Sequence, residues 1–143
     1  MKLLAYEVDK RSFLGVLNED ETWVYPVSAA GMEYRSMKDL IREAGPSEME
    51  MLDYISKKAP GDVMGAAPVD EIRVVSPIAE PDQDIICLGI NYMDHAEESA
   101  RFEKRAFEKP EKAIYFSKRV NRTNDPDGII PAHKNLTNQL DYE

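Results

Sequence analysis

The sequence predicts an α+β chain in two parts: a small α+β domain over residues 1–76, then the first strands of a second unit over residues 77–143. Three observations predict it. Short alternating apolar runs open the chain, and two segments with helical apolar spacing follow them. A proline-flanked stretch, Pro77 to Pro81, then precedes a new, unbroken apolar run from Asp84 to Ile90. Such a stretch reads as a linker between structural units.

Taken in order, Leu3 to Val8 alternates loosely and predicts a strand. Phe13 to Leu17 and Thr22 to Val27 predict two more, with Asn18-Glu19-Asp20-Glu21 as the polar turn between them. Gly15 inside the second strand points to a bulge or a close approach. Met37, Leu40, Ile41 and Ala44 recur at helical spacing behind Ser36, and Asp39 stands where a capping box needs an acid. Gly45-Pro46 is expected to end that helix, and Ser47 to open the next. Met51, Leu52 and Ile55 would form its apolar face, with Pro60-Gly61 as the stop. The methionines read as core filler rather than a cofactor contact. Residues 62–69 read as a loop, and Glu71 to Ser76 as a strand broken by Pro77.

In the second unit, Asp84 to Ile90 reads as a buried strand. Asn91 starts a helix, Ala113 to Phe116 forms a strand, and Asp125-Pro126-Asp127-Gly128 marks a turn. The last residues, Leu140-Asp141-Tyr142-Glu143, look like the beginning of another strand.

Composition excludes several function classes. The 143 residues are 43% hydrophobic and 31% charged, the balance of a folded chain. A net charge of −9 argues against nucleic acid as a partner, because there is no basic surface to release counterions. No apolar run approaches the roughly 18 residues a membrane span needs. The N-terminus lacks the apolar core of a signal peptide, so the expected location is the cytoplasm. The single cysteine, Cys87, cannot form an internal disulfide and reads as a small buried hydrophobe. His133 reads as an exposed loop residue, and the short basic pairs as solvated faces.

Two local patterns point to chemistry. In Gly89-Ile90-Asn91-Tyr92-Met93-Asp94-His95-Ala96-Glu97-Glu98, Asn91 is a good N-cap and Asp94 can complete a capping box. His95 would then lie in the first helical turn, where the helix dipole favours neutral imidazole. Glu98, three residues on, shares its face. A carboxylate that orients an imidazole makes a general base able to activate water. The same spacing also occurs in ordinary surface pairs. At the C-terminus, Asp141 and Glu143 would point to one face of a strand. Converging carboxylates suit a hard cation, although an Asp-x-Glu taken alone is far more often just an exposed strand edge.

Taken together, Ile85-Ile86-Cys87-Leu88-Gly89-Ile90-Asn91-Tyr92-x-Asp94-His95-x-x-Glu98, then Tyr115-Phe116-Ser117-Lys118, then Leu140-Asp141-Tyr142-Glu143, resemble the opening of the catalytic domain in the fumarylacetoacetate hydrolase family. The resemblance covers about residues 80–143. Residues 1–75 are more loosely similar to the small N-terminal domain that many members carry. The resemblance implies that the second unit begins a mixed β-roll. It implies that His95 is the base that activates water and that Glu98 is its partner, on a helix that acts as a lid. It implies that Glu143 is the first metal ligand and that Lys118 lies near the substrate.

The implied cofactor is Mg2+ or Mn2+, the implied substrate a small-molecule 2-oxo acid, and the implied assembly a homo-oligomer, most simply a dimer. The metal would act as a Lewis acid on an enolate, leading to C–C cleavage of the acylpyruvate type or to decarboxylation. Isomerisation uses the same enolate logic. The family pattern continues with a second glutamate and a later aspartate, which this chain lacks, and Arg119 stands where proline usually follows the lysine. One carboxylate is too few for magnesium. The expectation is therefore part of a metal-dependent hydrolase or decarboxylase, inactive as this chain. The alternative is a non-catalytic binding or interaction module that retains the front end of the fold.

Overall fold

The structure is a computed structural model that describes residues 1–89, Tyr92, Arg101 and residues 112–139. Its contacts fall into two compact units: Met1–Ala79 with the described part of Thr123–Glu143, and Glu80–Arg122.

The first unit is built on a five-stranded antiparallel sheet. Its strands are β1 (Leu3–Val8), β2 (Arg11–Leu17), β3 (Trp23–Pro26), β4 (Ala67–Pro68) and β5 (Arg73–Val75), in the order β4-β3-β2-β1-β5. β1 and β2 form a hairpin with Leu4 opposite Gly15, Tyr6 opposite Phe13 and Val8 opposite Arg11. The turn is Asp9-Lys10 alone, with both residues at positive φ (49° and 64°). That is the two-residue geometry whose twist matches the flanking strands. β2 therefore starts two residues earlier than expected, because polar Arg11 and Ser12 hide the start of the ladder from hydrophobic patterning. The next turn is held by Asn18, whose Oδ1 accepts from the Trp23 N–H at 2.9 Å, and by Asp20, which accepts from the Thr22 hydroxyl.

Two helices, α1 (Met37–Glu43) and α2 (Pro46–Ser56), pack on one face of the sheet. Ser36 caps α1 as expected, its Oγ accepting from the Asp39 N–H at 3.2 Å. α2 starts earlier than expected. Gly45 is its N-cap, Pro46 its first residue, and the Glu48 carboxylate accepts from the Gly45 N–H at 3.1 Å. Proline fits the first helical position because its missing N–H would be unpaired there anyway. Gly45-Pro46 thus opens α2 rather than ending α1, and Ser47 instead donates to Glu48 at 2.8 Å.

The core beneath the helices contains Val16, Tyr25, Val27, Met37, Leu40, Leu52, Ile55 and Val63. Met51 and Ile41 were both expected on the apolar faces, yet they are exposed. Leu52 and Ile55 carry that face of α2 instead, with the Ser56 side chain folded back on the Asp53 carbonyl. Tyr25 is fully buried and donates to the Lys58 carbonyl at 2.8 Å, tying β3 to the loop after α2.

The opposite face has its own cluster of Leu4, Tyr6 and Val24, joined by Val8, Leu17, Ala67, Ile72 and Val74. Ala67 belongs to one edge strand and Val74 to the other. Their meeting on one cluster means that the sheet curls around it. Gly15 makes the curl possible. A Cβ there would collide with the Val24 side chain, lie 2.9 Å from the Tyr6 ring and lie 3.2 Å from the Tyr25 carbonyl oxygen. The ladder stays in regular register through Gly15, so close approach rather than a bulge accounts for this glycine.

Polar bonds gather where the chain leaves the first unit at residue 79 and rejoins it at residue 123. Thr123 donates its N–H to the Ala79 carbonyl and its hydroxyl to the Ile78 carbonyl, both at 2.8 Å. Its Oγ1 also lies 2.5 Å from Ser76 Oγ. Asp125 accepts from the Ser76 N–H at 2.9 Å and pairs with Arg73 at 2.7 Å, while Arg73 also holds Glu7 at 2.8 Å.

In the second unit, β6 (Ile85–Gly89) and β7 (Ile114–Lys118) pair antiparallel as a two-stranded ribbon. The expected strands are present, but β6 is not buried. Ile86 is 66% exposed and Leu88 45%. An unbroken apolar run predicts a strand covered on both faces, and among the described residues that cover is missing. Cys87 is correspondingly half-buried.

Candidate functional site

Strand β6 leads directly into the Asn-Tyr-x-Asp-His pattern. Gly89 is its last residue and sits opposite Ile114, the first residue of β7. Tyr92 follows with its side chain 74% exposed. His95, Glu98 and Glu143, the residues expected as base, partner and metal ligand, lie outside the described residues.

Lys118 is described. It is the last residue of β7, opposite Ile85, and its Nζ stands 5.8 Å from the centre of the Phe116 ring. Residues 118, 116 and 114 share one face of the ribbon with their partners 85, 87 and 89. Lys118 is thus at the end of the ribbon away from Gly89. Four residues of strand separate these ends, about 14 Å, which exceeds the reach of one lysine side chain. Within the ribbon, Lys118 is not brought next to the point where the His95 segment begins.

No group of three or more His, Cys, Asp or Glu side chains able to hold a metal ion occurs among the described residues. No helix among them is long and apolar enough to cross a membrane. His133 is exposed, with φ of 44°, and its carbonyl closes a local turn by accepting from Leu136 at 2.7 Å.

A second constellation escaped the sequence reading. The mouth of the curled sheet holds an open hollow of about 590 Å³, on whose walls are Tyr6, Asp9, Arg11, Phe13, Ser28 and Met64. The Tyr6 and Phe13 rings stack at 5.5 Å across the hairpin. Burial pushes the Tyr6 phenol above its ordinary pKa. The signal available in the sequence was the alternation of Tyr6 with Val8 and of Arg11 with Phe13, mirrored across a two-residue turn. It was hidden because the turn itself was not placed.

The chain is 29% identical over 153 residues to the oxaloacetate tautomerase YisK of Bacillus subtilis, covering all of this chain and 49% of that protein. It is 26% identical over 153 residues to uncharacterized proteins of Staphylococcus epidermidis and Staphylococcus aureus, covering 48% and 49% of them. The chain therefore spans about half the length of the curated relatives it matches. No family model matches it.

Proposed function

We propose that this chain is the front half of a fumarylacetoacetate hydrolase family enzyme that acts on a 2-oxo acid through an enolate. The observation that carries the reading is the similarity of the whole chain to a protein named as an oxaloacetate tautomerase. The ordered motifs from Ile85 to Glu143 support it independently. A relative named for interconverting the keto and enol forms of a 2-oxo acid favours tautomerisation of a dicarboxylic 2-oxo acid as the first reaction to test. Hydrolytic C–C cleavage of an acylpyruvate, or decarboxylation, is the second reading. The His95–Glu98 pattern favours it, since an imidazole oriented by a carboxylate suits the deprotonation of water.

In either reading His95 moves the proton and Glu98 holds the imidazole and stabilises its charged form. Lys118 would lie near the substrate only if the complete fold brings its end of the ribbon to the site, and residues 77–143 begin the β-roll that carries these residues. A divalent cation, Mg2+ or Mn2+, would supply Lewis acidity to the oxo group. Of its ligands this chain offers Glu143, which alone is too little to hold the ion. The working assembly is a homodimer in the cytoplasm, with a small molecule rather than nucleic acid or membrane as partner.

The test uses the protein made from its complete reading frame. Decay of enol-oxaloacetate is followed by ultraviolet absorbance, and cleavage of acetylpyruvate and oxaloacetate by NMR, with and without magnesium. A magnesium-dependent rate that His95→Ala removes supports the assignment. Absence of all three reactions from a folded, metal-loaded protein overturns it.

A further inference from the structure

We propose that the hollow at the mouth of the curled sheet binds a free α-amino acid with an apolar side chain, held at its two charged ends by Arg11 and Asp9. This inference concerns residues 1–79 alone and does not rest on the function proposed above.

The hollow's volume, about 590 Å³, falls in the range of small-molecule sites. Its walls include the Tyr6 phenol. Tyr6 is only 3% exposed as a residue; its hydroxyl forms no hydrogen bond among the described residues and keeps contact with solvent. That hydroxyl is a donor available to a molecule that enters the hollow.

Two opposite charges stand at the rim. Asp9 and Arg11 are both exposed, and neither makes an ion pair or a side-chain hydrogen bond among the described residues. Asp9 is the first residue of the tight hairpin turn and Arg11 the first after it, so the spacing of their backbones is fixed by the turn rather than by a flexible loop. Their positions are set by the Val8–Arg11 pair and by Asp9 at φ 49°.

The apolar part is equally defined. Phe13 is stacked on Tyr6 and 39% exposed, and Met64 is 86% exposed at the opposite wall. Methionine adapts to varied shapes, which suits a wall that closes on side chains of different size.

These features select the ligand. A simple carboxylate would meet Arg11 and the Tyr6 hydroxyl but would be repelled by Asp9. It would also approach a chain whose net charge is −9. A simple amine would leave Arg11 and Tyr6 without an acceptor. A zwitterion satisfies all three: its carboxylate accepts from Arg11 and Tyr6, its ammonium donates to Asp9, and its side chain covers Phe13 and Met64.

The experiment is a titration of the 15N-labelled chain, followed by amide chemical shifts. The probes are L-leucine and L-phenylalanine, with L-leucinamide and N-acetyl-L-leucine as analogues lacking one charge each. Saturable millimolar or tighter binding of the amino acids is expected, with shifts at Tyr6, Asp9, Arg11 and Gly65. Each analogue should bind about tenfold more weakly. Arg11→Ala and Asp9→Asn should each weaken leucine binding by about tenfold, the worth of one lost charged contact. Both residues are exposed, and Asn tolerates the left-handed backbone at position 9, so the variants keep the fold. Tyr6→Phe should weaken binding several-fold. Absence of saturable shifts at the hollow would mean solvated charges around an open surface and would overturn the proposal. So would analogues that bind as well as the amino acids, or binding indifferent to Arg11→Ala.

Discussion

Replacing Gly15 by alanine tests the packing of the curled sheet most directly. The added methyl has no free space, for it meets Val24, Tyr6 and the Tyr25 carbonyl. Val24 is wholly buried and Tyr6 nearly so, and the carbonyl belongs to the β3 ladder, so none of the three can swing away cheaply. Overpacking a filled core costs about 1–3 kcal/mol. The smaller conformational freedom of alanine in the unfolded chain returns about 0.4–1 kcal/mol. The net loss should be about 1–2 kcal/mol. In a small domain this lowers Tm by roughly 5–15 °C. Urea unfolding followed by the fluorescence of Trp23, the sole tryptophan, reads it out. Gly61→Ala is the matched control, because a Cβ at position 61 meets nothing within 4 Å. The cost of Gly15→Ala should shrink in a Val24→Ala background, since the two residues compete for one space. Equal urea midpoints for Gly15→Ala and Gly61→Ala would refute the reasoning.

Other outcomes follow from particular bonds. Thr123→Val removes the hydroxyl shared between Ser76 and the Ile78 carbonyl and should destabilise the first unit by about 1–2 kcal/mol in urea titration. The Glu48 carboxyl is held below its ordinary pKa, first by the Ser47 hydroxyl and then by backbone N–H donors that include Gly45. Its contribution is therefore present above the unfolded value, about 4.3, and is lost as pH falls through the folded one. Glu48→Gln should accordingly narrow the gap between urea midpoints at neutral and acid pH. Burial raises the phenols of Tyr6 and Tyr25, with the Asp20 charge adding to the effect at Tyr25. Stability should then be full below about pH 10 and fall as pH rises through the folded values. A circular-dichroism titration of Tyr25→Phe should show a shallower alkaline decline.

The first unit was legible where burial follows local pattern. Leu3–Val8 alternates because one face meets the helices and the other the inner cluster, and Ser36 announces α1 through a cap that acts within three residues. Errors arose where one residue type serves two purposes. Gly45-Pro46 can end one helix or begin the next, and only the Glu48 carboxylate on the Gly45 N–H decides it. Met51 and Ile41 have the right spacing but the wrong side, because which arc of a short helix faces the sheet depends on tertiary contacts. The staple around Asp125 was invisible for another reason. Its partners Arg73 and Ser76 lie 49 or more residues away, Arg73 in turn holds Glu7, and no local rule connects them. For the candidate site, the type of chemistry was readable in the spacing of His95 and Glu98, whereas the placement of Lys118 needed the strand register.

That register bears on where this chain holds together and where it does not. A lone two-stranded ribbon is marginal in water, because strand pairing without a covered face leaves too little buried apolar area to offset chain entropy. In β6 and β7, Ile85, Ile86, Leu88, Ile114, Tyr115 and Phe116 are all more than a third exposed, and they lie on both faces of the pair. By contrast, β1 lies between β2 and β5 with Leu4, Ala5 and Tyr6 all buried. Opening free energies follow such differences in local burial. In this 143-residue chain the amides of Ile85–Gly89 should exchange with deuterium orders of magnitude faster than those of Leu3–Val8. An apolar ligand or partner that covers either ribbon face should slow the first set and leave the second unchanged. Equal protection of the two strands would mean that the ribbon's faces are shielded in solution.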